Sequence, residues 1–166
     1  LKCIEPYPQR LLSVLKANDK DYLIIYKAEL QDIQLDNFSD LQENDILFID
    51  YTHVSKIGSD VNYLFFEILP KLNKGVYIHF HDIFYPFEYP PKWVFEFRRH
   101  WNEIYMLRTF LEYNDCFKIQ LWIDYLNHFN GKELIKQIRN ALPKETENDI
   151  ERVGGFASSI WLKKLY

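Results

Sequence analysis

Glycine is scarce in this sequence, with 5 among 166 residues, at Gly58, Gly75, Gly131, Gly154 and Gly155. None precedes position 58, so no strand followed by a glycine-rich turn, the usual phosphate cradle, opens the chain. Cysteine is rarer still: Cys3 and Cys116 lie in apolar segments without metal-type spacing, which reads as two buried thiols in a reducing, cytoplasmic setting. No apolar run reaches the roughly 18 residues needed to span a bilayer. No leader-like segment is visible, and the first residue is Leu1. Basic residues are not in excess either. Lys and Arg number 20 against 24 Asp and Glu, a net charge of −4, so bulk electrostatics gives no support to a nucleic-acid-binding surface.

What is present is a globular composition: 48% apolar, 17% aromatic and 27% charged residues, enough for one domain over residues 1–166 with a real core. Leu1 to Glu5 reads as a buried strand closed by Pro6 and Pro8, followed by a helical stripe over Gln9 to Leu15. Tyr22 to Tyr26 and Ile46 to Ile49 read as strands, with polar loop and a short helical turn over residues 29–44 between them. Val61, Leu64, Phe65, Ile68 and Leu72 form a helical stripe over Asp60 to Leu72, with Ser59 or Asp60 as its cap and Pro70 straining its end. Val76 to Phe80 is the next strand. Phe84 to Trp93, with three prolines and five aromatics, reads as irregular. Helix over Trp101 to Tyr113, strand over Phe117 to Ile123, helix over Lys132 to Leu142 and strand over Phe156 to Leu162 complete the pattern. Alternating strands and helices predict an α/β fold: a mainly parallel sheet with helices on both faces.

In such sheets ligands bind beyond the carboxyl ends of the strands. That rule selects Glu5, the loop around Asp32, Asp50 and the pair His81-Asp82. Asp50 and Asp82 close consecutive strands and can face one crevice, as an oxygen pair suited to a divalent cation or as simple caps of the turns that follow. His53, three residues beyond Asp50, has the residue type of a general base, or else it bonds the loop backbone. His79 and His81 alternate along one strand, a thin zinc motif. The aromatic-proline stretch reads equally as an acceptor wall or as a packed loop.

Several phrases resemble class I S-adenosylmethionine-dependent methyltransferases of the bacterial O-methyltransferase kind, related in fold to catechol and macrolide-sugar enzymes. They are Asp45 to Asp50 with Thr52-His53-Val54, Gly58 to Asn62, Leu69 to Leu72, Gly75 to Phe84, Tyr89-Pro90-Pro91-Lys92-Trp93, Trp101-Asn102-Glu103 with Tyr105 and Leu107, and Phe156 to Ser159 with Trp161. The resemblance implies a Rossmann-like sheet with an antiparallel C-terminal strand. It implies S-adenosylmethionine as cofactor, with Glu5 on its ribose, Gln31 and Asp32 beside its adenine and Asp50 near the methyl-transfer centre. Asp50 and Asp82 match the acids that hold Mg²⁺ in catechol-type relatives, and His53 falls where those relatives place a lysine base. His81, Tyr89 and Trp93 fall at the acceptor side. Ile83 stands where the relatives carry a second metal-binding polar residue. The family's first strand and glycine-rich loop would precede Leu1, so the chain starts at the family's second strand. The expected activity is methyl transfer to a hydroxyl oxygen of a small molecule such as a sugar, in a chain whose open sheet edges could pair two copies. Two other readings stand beside it: a non-catalytic α/β remnant used for dimerisation or partner binding, and a zinc hydrolase built on His79, His81 and Asp82.

Overall fold

The computed structural model describes residues 1–138 and 158–166. Among these, six strands and six α-helices alternate: β1 (Lys2–Ile4), α1 (Gln9–Val14), β2 (Ile24–Tyr26), α2 (Asp36–Ser39), β3 (Ile46–Ile49), α3 (Asp60–Tyr63), β4 (Tyr77–His81), α4 (Pro91–Phe95), α5 (Glu103–Glu112), β5 (Phe117–Trp122), α6 (Ile123–Ile138) and β6 (Ser159–Lys164). Short 3₁₀ turns cover Ala17–Asp21 and Leu30–Asp32.

The α/β class is as expected, but the sheet is divided. β1 and β2 pair in parallel as a two-stranded sheet, and the other four strands are ordered β3-β4-β6-β5. β3 and β4 run parallel, while β6 is antiparallel to both β4 and β5. Among the described residues no ladder joins β1 to β3, so each leaves one backbone edge without a strand partner. The antiparallel closing strand matches expectation; a single, mainly parallel sheet does not, since two of the three pairings in the larger sheet are antiparallel because β6 runs against both its neighbours.

One face of the larger sheet holds the core. Leu47 pairs with Ile78 and Ile49 with Phe80 across β3 and β4, and Ile78 and Phe80 pair with Leu162 and Ile160 of β6. Val61, Leu64, Phe65, Ile68 and Leu69 and, from α5, Ile104 and Leu107 belong to the same buried cluster. The helix after Ser59 fulfils its stripe, and Ser59 Oγ accepts the Asn62 amide at 3.3 Å as cap. It is not regular, however: α3 widens to a π turn over Leu64–Ile68 and tightens to 3₁₀ over Leu69–Lys71, where Pro70 lacks an amide to donate. Lys164 completes that end, its buried ammonium donating to the carbonyls of Leu69 and Pro70 at 2.9 and 3.0 Å.

The opposite face is less covered than the expectation of helices on both sides requires. Ile46 and Phe48 are 54% and 59% exposed, flanking Tyr77, His79 and Trp161. Other differences are local. Pro91 starts α4 inside the stretch expected to be irregular, because a proline is well suited to a helix's first turn. The helix expected over Lys132 to Leu142 begins nine residues earlier, at Ile123, with a kink at Asn130, and its last four expected residues lie outside the described residues. β6 begins at Ser159; residues 156 and 157 of the expected strand also lie outside them. Cys3 and Cys116 are free and only half-buried.

Candidate functional site

Parallel pairing of β3 with β4 brings their carboxyl ends together, and the loops that leave them carry the expected groups. Asp50 follows β3 and its side chain is 54% exposed, with Oδ1 at 3.4 Å from His53 Nε2. His53 itself is buried, 3% exposed, in the left-handed backbone region at φ 59°. Its carbonyl accepts the amides of Asn102 and Glu103 at 3.1 and 3.2 Å, so the loop after β3 is fastened to the start of α5. Asp82 follows β4, also at positive φ (58°), with Oδ1 at 3.5 Å from His81 Nε2.

The decisive neighbour of His53 is a residue that sequence reasoning missed. Glu103, 1% exposed, places Oε2 at 2.7 Å from His53 Nδ1. Trp101 stacks on the same imidazole, centroids 4.0 Å apart and planes within 26°. Tyr89 and Trp93, expected at the acceptor side, pack edge-on to Trp101 and so stand behind the histidine. Arg99 lies over the rings of Trp93 and Trp101, its guanidinium 3.9 and 4.5 Å from their centroids.

Electrostatics follows from this enclosure. Burial pulls the His53 pKa down, but hydrogen bonds to Asp50 and Glu103 and the Glu103 charge outweigh it and raise it to about 9. The His53 contact in turn lowers the Asp50 carboxyl against its partial burial. Burial raises the Glu103 carboxyl, opposed by His53, and raises that of Asp82, opposed by His81 and His53. Tyr51, beside Glu103, is raised well above its usual value by burial and by that carboxyl. The centre is therefore a histidine whose protonated form is favoured, held between the carboxyl groups of Asp50 and Glu103.

The remaining expected residues are dispersed. Gln31 donates to the Gly58 carbonyl at 3.0 Å, tying its loop to the segment after His53, while its Oε1 is buried without a partner. Gln31 and exposed Asp32 line a cleft of about 400 Å³ with Ile33, Leu35, Tyr63 and Lys71, which neither Asp50 nor His53 borders. Glu5, on the smaller sheet, accepts the Tyr7 amide at 2.8 Å and makes no hydrogen bond or ion pair with the Asp50 group. His81 joins Asp82. His79, on the same strand face with its ring centroid 5.8 Å from that of His81, is buried between Phe48 and Trp161 with neither ring nitrogen partnered.

For a divalent cation the donors reduce to Asp50 and Asp82, since among the described residues no three His, Cys, Asp or Glu side chains cluster as a metal site and Ile83 is fully buried. Two carboxylates are a thin set for Mg²⁺, which takes six oxygens. For the zinc reading, His79, His81 and Asp82 likewise form no three-ligand cluster. For S-adenosylmethionine the fit is better. Gln31 and Asp32 line a cleft whose volume is of the right order for an adenosyl group.

The carboxylate-histidine centre lies beyond the carboxyl ends of two parallel strands, where ligands bind in open α/β sheets. A family model described as "Methyltransferase domain" matches residues 1–83, the first half of the chain, which includes Glu5, Gln31, Asp32, Asp50, His53, His81 and Asp82. The chain belongs to this methyltransferase-domain family. No curated protein and no solved structure matches the chain. Among the described residues no helix is long and apolar enough to cross a membrane.

Proposed function

We propose that the chain is an S-adenosylmethionine-dependent O-methyltransferase acting on a small hydroxylated molecule such as a sugar. The observation that carries this reading is His53, a buried histidine anchored by Glu103 beside Asp50, in a chain whose matched family is methyl-transferring. Gln31 and Asp32 would border the adenine, with Glu5 on the ribose and Asp50 near the sulfonium. The bound cofactor supplies an electrophilic methyl group. His53 Nε2 takes the proton of the acceptor hydroxyl as its oxygen bonds to that methyl group, and Asp50 stabilises the resulting imidazolium. Tyr89 and Trp93 exclude water behind the ring, and His81 with Asp82 forms the opposite wall. No cation is needed for these roles. Because the His53 pKa is about 9, the neutral ring required for proton abstraction becomes more populated as pH rises.

Calorimetric titration of the 166-residue chain with S-adenosylhomocysteine, with and without Mg²⁺, tests the reading. Saturable binding near one site per chain, weakened by Gln31→Ala, supports it; a folded chain that does not bind overturns it. A second reading, a non-catalytic module that pairs with another copy or a partner, draws on the open edges of β1 and β3 and on exposed Ile46 and Phe48. A chain that dimerises through this face and ignores the nucleoside would favour it.

A further inference from the structure

All three residues of Trp101-Asn102-Glu103 act on His53 or on the loop that carries it. Trp101 stacks on the imidazole, and the backbone amides of Asn102 and Glu103 hold the His53 carbonyl. The Asn102 side chain clasps Ser55 from both sides, accepting its amide at 2.6 Å and donating to its carbonyl at 3.1 Å. Glu103 reaches the ring itself, 2.7 Å from Nδ1. Four independent contacts from one tripeptide thus fix the position of a single histidine, which itself occupies a backbone region that non-glycine residues seldom adopt.

We propose that Glu103 is a positioning residue for methyl transfer: its carboxylate keeps a proton on His53 Nδ1, which leaves Nε2 as the ring's proton acceptor, turned toward Asp50 and the crevice. The role rests on the methyl-transfer reading of the site. The argument is one of hydrogen-bond valence. An ionised carboxylate only accepts, so with Glu103 ionised the ring nitrogen facing it at 2.7 Å carries the hydrogen. A neutral imidazole has one N–H, and with Nδ1 committed, Nε2 holds the lone pair. Asp50, the group at Nε2, is more than half exposed and stands at the longer distance of 3.4 Å, so it can yield that nitrogen to an acceptor hydroxyl. Glu103 has no such freedom, being 1% exposed. In the transfer itself the acceptor O–H bond breaks, its proton passes to Nε2, and the oxygen bonds to the methyl carbon as the carbon–sulfur bond breaks. Nδ1 keeps its hydrogen throughout.

Imidazole nitrogen spectroscopy tests this directly. In ¹⁵N-labelled chain at pH 10, where the ring is neutral, long-range proton–nitrogen correlations distinguish an N–H nitrogen from a bare one, and His53→Gln assigns the ring. The expected wild-type pattern is a protonated Nδ1 and a bare Nε2. Glu103→Gln presents an amide that can donate to Nδ1, and the proton is expected to move wholly or in part to Nε2 in a chain that still melts cooperatively. A wild-type ring protonated on Nε2 overturns the proposal, whether or not the variant folds, and so does an unchanged pattern in folded Glu103→Gln. Titration of the same samples with S-adenosylhomocysteine separates the two readings. Binding with the proton on Nε2 removes the role of Glu103 alone, whereas the expected ring pattern without binding removes the methyl-transfer reading, and the catalytic role with it, while leaving the tautomer assignment standing.

Discussion

His53 and His79 are equally hidden, at 3% and 6% exposure, yet they carry opposite electrostatics. His53 sits beyond the carboxyl end of β3 between Asp50 and Glu103, and its pKa is pushed up to about 9. His79 sits mid-strand in β4, stacked on Phe48 at 4.3 Å and met edge-on by Trp161 at 4.7 Å, without a hydrogen bond to either nitrogen. Burial, and then the nearby His81, bring its pKa down to about 4. Low dielectric alone makes a histidine a neutral aromatic; a charge persists only where carboxylates enclose it. The sheet face and the sheet end therefore use one residue type for two purposes, packing and proton chemistry.

The comparison breaks most sharply at Glu103. Glu103→Leu strips His53 of its closest partner and is expected to cost about 3 kcal/mol in urea denaturation at pH 7, the range for one half of a buried pair. The ring can relieve part of that cost by losing its proton. His79→Leu deletes a ring of similar burial but no hydrogen bond, and should cost less than Glu103→Leu. Equal losses in the two variants would mean that burial, not pairing, sets the behaviour of both histidines.

The pH dependence of stability sharpens the same contrast, because the two shifts have opposite signs. For His53, raised from 6.5 to about 9 by Asp50 and Glu103 against its burial, the stabilisation is complete below pH 6.5 and is lost as pH climbs through 9. For His79, lowered from 6.5 to about 4, the unfolded chain takes the proton first, so stability is complete above pH 6.5 and is lost as pH falls through 4. Each limb amounts to roughly 3 kcal/mol at about 1.4 kcal/mol per pKa unit. The charged groups facing the rings are Asp50, Glu103 and Asp82 for His53, and His81 and Asp50 for His79. Thermal melts from pH 4 to 9.5 should show His53→Gln flattening the alkaline limb alone. His79→Leu should flatten the acid limb alone, and the same limb changing in both variants would refute the assignment.

Half of this contrast is legible in the sequence. The runs Ile46 to Ile49 and Val76 to Phe80 announce their strands, and the strand-end rule picks out Asp50 and His81-Asp82, with His53 found from its spacing to Asp50; the same rule also picks Glu5 and Asp32, which lie apart from that centre. Glu103 escapes that rule. It lies 50 residues from His53 and in the first turn of a helix, where an acid ordinarily complements the helix dipole. A signal did exist: Glu103 falls four residues before Leu107 and seven before Phe110, on the apolar stripe of α5, and an acid on a stripe needs a buried partner. The division into two sheets and the openness of the face around Phe48 leave no such mark, since strand order and coverage are set by tertiary contacts rather than by the pattern within a strand.

A third buried ionisable group shows whether neutral partners can replace carboxylates. The Lys164 ammonium is satisfied by two carbonyls and lies 4.8 Å from the Phe117 ring, yet its pKa is lowered, chiefly by burial. Dipoles satisfy its donors without restoring what the charge loses on leaving water. Lys164→Met keeps the apolar stem but frees two carbonyls where Pro70 already leaves the helix end without its full ladder. Stability should fall by about 1–3 kcal/mol, read as a lower urea midpoint with unchanged slope.

The smallest expected effect lies at His79. Phenylalanine fits its position on two counts: it preserves the stack on Phe48 and the edge contact with Trp161, and it removes two buried ring nitrogens that have no hydrogen-bond partner. At pH 7 His79→Phe should therefore leave stability within about 1 kcal/mol of the parent, on the favourable side if on either. Its mark should appear only in acid, where the unfolded chain no longer gains a proton that the folded ring refuses, and the loss of stability between pH 6.5 and 4 becomes shallower. A loss above about 2 kcal/mol at neutral pH would show that the ring nitrogens are hydrogen-bonded after all. His79 would then be a polar element of the sheet face, and the division between a packing histidine and a proton-carrying one would fail at its simpler member.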